Sequence, residues 1–322
     1  AVVYWMQRDQ RVSDNHALLY AQELALAVRQ PLYVVFCLVP GFLGATIRQY
    51  GFMCRGLAGV ERTLAGLGIP FHLLAGDPPT VIPRFLRESG AGCLVTDFNP
   101  LRTVMRWKDQ VAAGVDIPFH EVDAHNIVPC RFISDRAEYA AFTLRKKTGR
   151  YLPEFMTGTG KPVPHPFPGE PESGGPVDWE RLLAGLQVDR SVGESNLFTP
   201  GEEAATVVLN QFLDGGLDRY DADRNLPERN GQSDLSPYLH FGQLSALRVA
   251  LEVTASTASA ASRQSFLEEL IVRRELSDNF CLYNPGYDRF SGFQPWAKET
   301  LKRHRDDPRE YLYTPDRFDR AT

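Results

Sequence analysis

Leu32-Tyr33-Val34-Val35-Phe36-Cys37-Leu38-Val39 is an apolar run without a charged member, and it reads as a strand. Ala17 to Val28 before it and Gly51 to Leu67 after it carry apolar residues at three- and four-residue spacing, the pattern of amphipathic helices. Further out the alternation repeats. Val2 to Met6, Pro70 to Leu74, Cys93 to Thr96 and Pro118 to Val122 read as strands, and Val81 to Glu88 and Leu101 to Ala113 as helices. Such a β-α-β-α series predicts a Rossmann-like α/β domain, a doubly wound parallel sheet, over residues 1–130. Gly41-Phe42-Leu43-Gly44 follows the second strand, but no Gly-x-Gly-x-x-Gly occurs there or after the first, which disfavours a conventional dinucleotide site.

Residues 131–198 hold one basic amphipathic stretch, then Pro153, Pro162, Pro164, Pro166, Pro168, Pro171 and Pro176 among many glycines, the composition of a long interdomain linker. Gly158-Thr159-Gly160-Lys161 inside it is no phosphate loop: it lacks the first glycine, precedes Pro162 and follows no strand. From Thr199 the pattern is helical, predicting an all-α domain over residues 199–322. Thr199-Pro200-Gly201-Glu202 reads as a capping box whose helix ends at Gly215-Gly216, and further helices fit Pro237 to Phe241, Gln243 to Thr254 and Arg263 to Tyr283.

A chain of 322 residues with 43% hydrophobic content can bury a full core in two domains. It has no apolar run of membrane-spanning length and no signal peptide at its start, which reads as an intracellular, cytoplasmic protein. Cys37, Cys54, Cys93, Cys130 and Cys281 are odd in number and without a Cys-x-x-Cys pair, so they suggest neither a disulfide framework nor a metal site. The net charge of −5 allows a local basic patch, and basic residues gather at Arg131, Arg136, Arg145, Lys146, Lys147 and Arg150 and again at Lys298, Lys302, Arg303 and Arg305. Either run also reads as a solvated helix face.

Gly231-Gln232-Ser233-Asp234-Leu235-Ser236-Pro237-Tyr238-Leu239-His240-Phe241-Gly242-Gln243-Leu244-Ser245 joins a polar turn, a helix start and an aromatic block. Ser236-Pro237 is a favourable helix entry, and the outward amides of a first turn bind phosphate. Ordinary capping is the alternative. On the helix from Arg263, Leu267, Leu270, Ile271, Arg274 and Asp278 share one stripe, which places a cation where the core should be. Arg274 and Asp278 stand four apart and can pair with each other; otherwise Arg274 faces a ligand.

The block from Gly231 to Ser245 is similar to the flavin-binding signature of the DNA photolyase and cryptochrome family. Upstream, Gly215-Gly216-Leu217-Asp218-Arg219-Tyr220 and Asp223-Arg224-Asn225 resemble that family in order, as does Phe266 to Cys281 downstream. Tyr4 to Asn15 resembles its opening strand and turn. The wording of the last helix, with Gly51-Phe52-Met53 and Val95 to Arg102, looks like the class II cyclobutane pyrimidine dimer photolyases. The resemblance implies light-driven repair of such dimers in DNA by electron transfer from reduced FAD (FADH⁻), by an enzyme (deoxyribodipyrimidine photo-lyase) that works as a monomer on damaged DNA. It implies that Tyr220, Gln232, Ser233, Leu235 and Ser236 hold the flavin, that Arg274 faces its ring, that Glu269 hydrogen-bonds the dimer, and that Arg224 and Arg273 lie at the DNA. Alignment with the other photolyase classes needs one inserted residue after Ile271, which puts Arg273 where they carry an aromatic. An antenna pigment, deazaflavin or folate, would belong to the N-terminal domain. A cryptochrome-like blue-light photoreceptor without repair is the alternative within the fold, and a nucleotide-binding α/β module without photochemistry is one outside it.

In the family, further helices follow the segment at which this chain stops. They close the flavin pocket, supply the asparagine at flavin N5 and carry the electron-relay tryptophans, whereas only Trp5, Trp107, Trp179 and Trp296 occur here. The expectation is a fragment that alone binds FAD weakly and repairs no dimers.

Overall fold

The computed structural model describes residues 1–170 and 175–320; Pro171 and the final Ala321-Thr322 lie outside the described residues. Strands β1 (Val2–Met6), β2 (Leu32–Leu38), β3 (Phe71–Ala75), β4 (Cys93–Asp97) and β5 (Phe119–Val122) form one parallel sheet in the order β3-β2-β1-β4-β5. Pro31, Pro70 and Pro118 precede β2, β3 and β5. Each gives its carbonyl to the neighbouring strand, accepting from Val2, Val34 and Leu94 at 2.9, 3.0 and 2.9 Å, while the ladder asks no N–H of it.

Alternation along β1 sends Val2, Tyr4 and Met6 to one face and Val3 and Trp5 to the other. Helices α1 (His16–Val28) and α2 (Ile47–Gly66) cover the first face, α3 (Pro78–Glu88) and α4 (Arg102–Ala113) the second. The doubly wound expectation is met. Two helices start earlier than their apolar pattern, because polar caps set the start: Thr46 and Gln49 form the capping box of α2, and Pro78 opens α3 where no N–H is needed.

The proline-rich stretch is ordered where it is described. After α5 (Cys130–Ile133) and α6 (Ala141–Phe155), Val163 exchanges hydrogen bonds with the Gln22 amide at 2.7 and 2.9 Å, His165 N–H donates to Leu67 O at 2.7 Å, and Glu170 N–H donates to the Tyr33 hydroxyl at 3.0 Å. Helix α7 (Trp179–Gly185) then packs on α2, with the Trp179 indole donating to Glu61 at 2.7 Å.

No strand follows Val122 among the described residues. Helix α8 (Glu202–Gln211) corrects the expected capping box. Gly201 is its N-cap, Thr199 caps nothing, and the Glu202 carboxylate instead accepts N–H groups of Val12 and Ser13 at 2.6 and 2.9 Å. The helical path also does not end at Gly215-Gly216. It continues through a π-turn (Phe212–Gly216) and a 3₁₀ turn (Leu217–Arg219) into α9 (Tyr220–Asp223). Gly216 is there for packing: a Cβ on it would lie 2.8 Å from the Phe212 ring. Next come α10 (Ser236–His240), α11 (Ala246–Ala255, capped by Ser245 rather than starting at Gln243) and α12 (Ala260–Leu267, capped by Ser259). A π-helical stretch, Glu268–Arg273, leads on into α13 (Arg274–Tyr283).

The chain divides into two compact units, Ala1–Leu282 and Tyr283–Thr322, so the sheet and the helices up to Leu282 belong together. The second unit holds a 3₁₀ turn (Phe290–Gly292) and two short helices, α14 (Pro295–Arg303) and α15 (Pro315–Asp319). No helix among the described residues is long and apolar enough to cross a membrane.

Candidate functional site

The strand order reverses between β1 and β4, where open α/β sheets bind nucleotides beyond their carboxyl ends. Here the chain itself fills that place. Buried Asp97, at the end of β4, accepts the amides of Gln7, Arg8 and Asp9 at 2.8, 2.6 and 2.7 Å. Buried Arg11 donates to Asp9 at 2.7 Å, Ala124 O at 2.6 Å, Asp14 O at 3.0 Å and Gly242 O at 3.1 Å. Gln10 N–H donates to Phe241 O at 3.3 Å. The helical part is thus hydrogen-bonded into the crevice, which accounts physically for the missing glycine fingerprint.

The junction continues along α13. Arg8 forms a two-pronged pair with Asp278 at 2.7 and 3.0 Å. That occupies Asp278, so the Arg274–Asp278 pair allowed by their spacing does not form. Arg274 donates instead to Leu270 O and His125 O, both at 3.0 Å, lies 3.7 Å from Glu275, and keeps its buried Nη1 without a partner. His125 meets Asp9 at 3.2 Å; burial, with the nearby Arg8 charge, pushes its imidazole down to about 4.

Glu275 accepts Ile127 N–H at 2.6 Å, and burial, only partly offset by Arg274, pushes its carboxyl up to about 8. Between the ordinary carboxylate range and that value the folded chain holds a proton that the unfolded chain releases, so stability falls as pH rises through this window. Asp97, raised to about 7 by burial and the Asp9 charge, and Asp123, raised to about 6 by burial, act in the same direction. Glu275→Gln should therefore flatten, without abolishing, the decline of the unfolding midpoint between pH 5 and 8, by a few degrees at the alkaline end. Thermal scans across that range with identical slopes for parent and variant would refute this.

A second cluster forms around the π-stretch Glu268–Arg273. A π-turn takes up one extra residue in an α-helix, and it lies where the alignment required an insertion after Ile271. Its Glu269 carboxylate accepts from Arg224 at 2.9 Å, the Arg224 guanidinium lies 5.7 Å from the centre of the Tyr220 ring, and the Gln232 amide donates to Arg224 O at 2.9 Å. Tyr220 is held edge-on by Phe212 and Phe266, at 5.8 and 5.2 Å between centroids. Four of the sequence-predicted site residues are thereby brought together. Arg273 is exposed and lies 3.4 Å from Glu268, the neighbour of Glu269, which also takes Arg145 at 2.5 Å.

The Ser233–Ser236 turn differs from its expected form. Buried Leu235, not Ser236, is the N-cap of α10; Ser236 is exposed as the first helical residue, and no side chain caps the helix. Ser233 Oγ accepts Leu235 N–H at 3.4 Å, and Asp234 between them takes the left-handed φ of 57°. Arg274 belongs to the junction with the sheet rather than to this turn.

The DNA photolyase family model matches residues 2–170. The chain belongs to the DNA photolyase family. Among its relatives are proteins named deoxyribodipyrimidine photo-lyase from Potorous tridactylus, 48% identical over 322 residues, and from Methanothermobacter thermautotrophicus, 37% identical over 313 residues. The alignments take in 99% and 97% of this chain and 60% and 68% of those photolyases. The chain thus spans about three fifths of the first relative's length. A solved archaeal photolyase from Sulfolobus tokodaii, described as holding two FAD molecules, superposes with a TM-score of 0.67 at 18% identity, over 94% of this chain and 66% of that one. At that identity the likeness speaks for the photolyase fold alone.

Proposed function

We propose that the protein repairs cyclobutane pyrimidine dimers in DNA under light, as a photolyase of class II, inside the cell and as a monomer. The observation that carries this is the meeting of Glu269, Arg224, Tyr220 and Gln232, residues 49 positions apart at their extremes, on one surface of the helical part. The names of the relatives support it, as does the FAD in the Sulfolobus photolyase.

The donor set suits FAD. Ser233 and Ser236 flank a short helix start that no side chain caps, and hydroxyls and amides of that kind are donors a diphosphate can use. Arg274 stands apart from this turn, at the junction with the sheet, and its part in the reading rests on the family resemblance: its buried Nη1 has no acceptor within the fold, and a fixed cation near a flavin ring favours the anionic reduced form. When bound, reduced FAD supplies the electron that opens the dimer and takes it back afterwards. Arg224 exchanges its Glu269 carboxylate for a DNA phosphate, setting register without reading sequence. That exchange frees Glu269 to hydrogen-bond the pyrimidine edge of a dimer turned out of the duplex. Arg273 lies beside it at the DNA. Residues 1–130 would carry the antenna pigment, deazaflavin or folate, residues 131–198 the linker, and residues from 199 onward the flavin.

Ser233→Glu and Ser236→Glu place a charge against the diphosphate. Either should cut the flavin retained through purification several-fold, read as near-ultraviolet and blue absorption per protein. Flavin content equal to the parent in both variants would overturn the assignment.

A further inference from the structure

Arg274 is a cation without a counter-ion of its own. Among the described residues the one carboxyl group it meets is that of Glu275, at 3.7 Å, and burial pushes that carboxyl up to about 8, so it keeps its proton at neutral pH. The hydrogen bonds of Arg274 go to neutral carbonyls, those of Leu270 and His125. Asp123, whose charge also acts on Arg274 through space, spends its oxygens on the N–H groups of Asn126 and Cys130 at 2.9 and 2.8 Å.

The carboxylate that spacing offers Arg274 is Asp278, four residues on along α13, where side chains meet across one helical turn. Arg8 takes it, with both prongs of its guanidinium. Arg8 is fixed in turn: its N–H donates to Asp97 at 2.6 Å, at the end of β4, and its carbonyl lies against Gly242. The turn after β1 thus reaches across the junction and withdraws from α13 the anion that would neutralise Arg274. An uncompensated cation in a largely buried place is costly, and a bound anion completes it. The Arg274 side chain is 17% exposed, which leaves it a face for a ligand.

We propose that Arg8 is a positioning residue for the flavin: by holding Asp278 it reserves the charge of Arg274 for the anionic reduced ring. This rests on the reading that Arg274 faces the flavin, and adds to it the residue that keeps the cation available. Arg8 acts only through Asp278.

The test is anaerobic titration of the parent, Arg8→Ala, Asp278→Asn and the double variant with oxidised and with reduced FAD, together with the unfolding midpoint of each without flavin. In Arg8→Ala the freed Asp278 turns to Arg274. Reduced FAD should then bind about tenfold more weakly relative to oxidised FAD, which lowers the reduction midpoint of the bound flavin by about 30 mV. In the double variant no carboxylate is left to turn, so the preference for reduced FAD returns to that of the parent. Its unfolding midpoint nevertheless falls below that of Arg8→Ala, because the Arg274–Asp278 pair is gone. Loss of a mere brace between sheet and helix cannot move affinity and stability in opposite directions. Asp278→Asn breaks the same ion pair from its other end and should keep or exceed the parent's preference, so it carries the test where Arg8→Ala does not fold. Parent-like preference in Arg8→Ala, or a loss in Asp278→Asn or the double variant, overturns the role of Arg8 and leaves flavin binding standing. A parent that binds neither form of FAD overturns both.

Discussion

Gly242→Ala is expected to cost several kcal/mol of stability in residues 1–282. A Cβ at Gly242 would lie 2.2 Å from the Arg8 carbonyl oxygen and 2.6 Å from the Asp9 Cα, and both are backbone atoms with no rotamer to escape into. Relief requires the 240–243 segment to back out of the crevice between β1 and β4. That withdraws Gly242 O from Arg11 and Phe241 O from Gln10, each loss leaving a buried donor without an acceptor at about 1–3 kcal/mol. The left-handed φ of 61° at Gly242 adds strain of about 1 kcal/mol for any L side chain. Gly41→Ala isolates that last contribution, because Gly41 also has a positive φ, 71°, but nothing within 4 Å of its would-be Cβ. Denaturant unfolding of both variants separates the effects. Equal losses would show that the interlock does not hold the two layers together.

The sheet was legible because each strand is a short apolar run between helical patterns, and burial of both faces writes that directly into residues such as Leu32 to Leu38. Helix starts were less so: the apolar stripe of α2 suggests Gly51, but the turn from Ile47 onward is fixed by Thr46 and Gln49, which an apolar pattern does not register. Gly215-Gly216 reads as a stop, yet Gly216 is required by the Phe212 ring against it, a packing reason indistinguishable in sequence from a conformational one. The interlock was not legible at all. Arg8, Asp9 and Arg11 form a polar stretch that looks solvated, and their partners Asp97, Gly242 and Asp278 are 88 to 270 positions away. The Glu269 cluster came from family resemblance, since a lone helical glutamate carries no signal of its own. The π-turn that aims it was foreshadowed only by the single insertion after Ile271.

In an otherwise complete enzyme, Glu269→Ala should lower dimer repair per absorbed photon far more than it lowers flavin content or stability. Its carboxylate is half-exposed and its resident partner is Arg224, and such pairs contribute about 0–1 kcal/mol to folding, so the variant should unfold close to the parent. A charged hydrogen bond to the substrate is worth about 1.5–3 kcal/mol, which places the expected fall in repair at about one to two orders of magnitude if the bond is made only in the step that limits ring opening. Glu269→Gln keeps the shape and one acceptor but not the charge, and should recover part of the loss. Arg224→Ala separates binding from chemistry: it removes the partner of Glu269 and the proposed phosphate contact, so DNA affinity should fall while repair of DNA already bound persists. Equal quantum yields for Glu269→Ala and the parent would remove Glu269 from the chemistry. A loss that followed the unfolding midpoint, in both glutamate variants alike, would make it one arm of a surface ion pair.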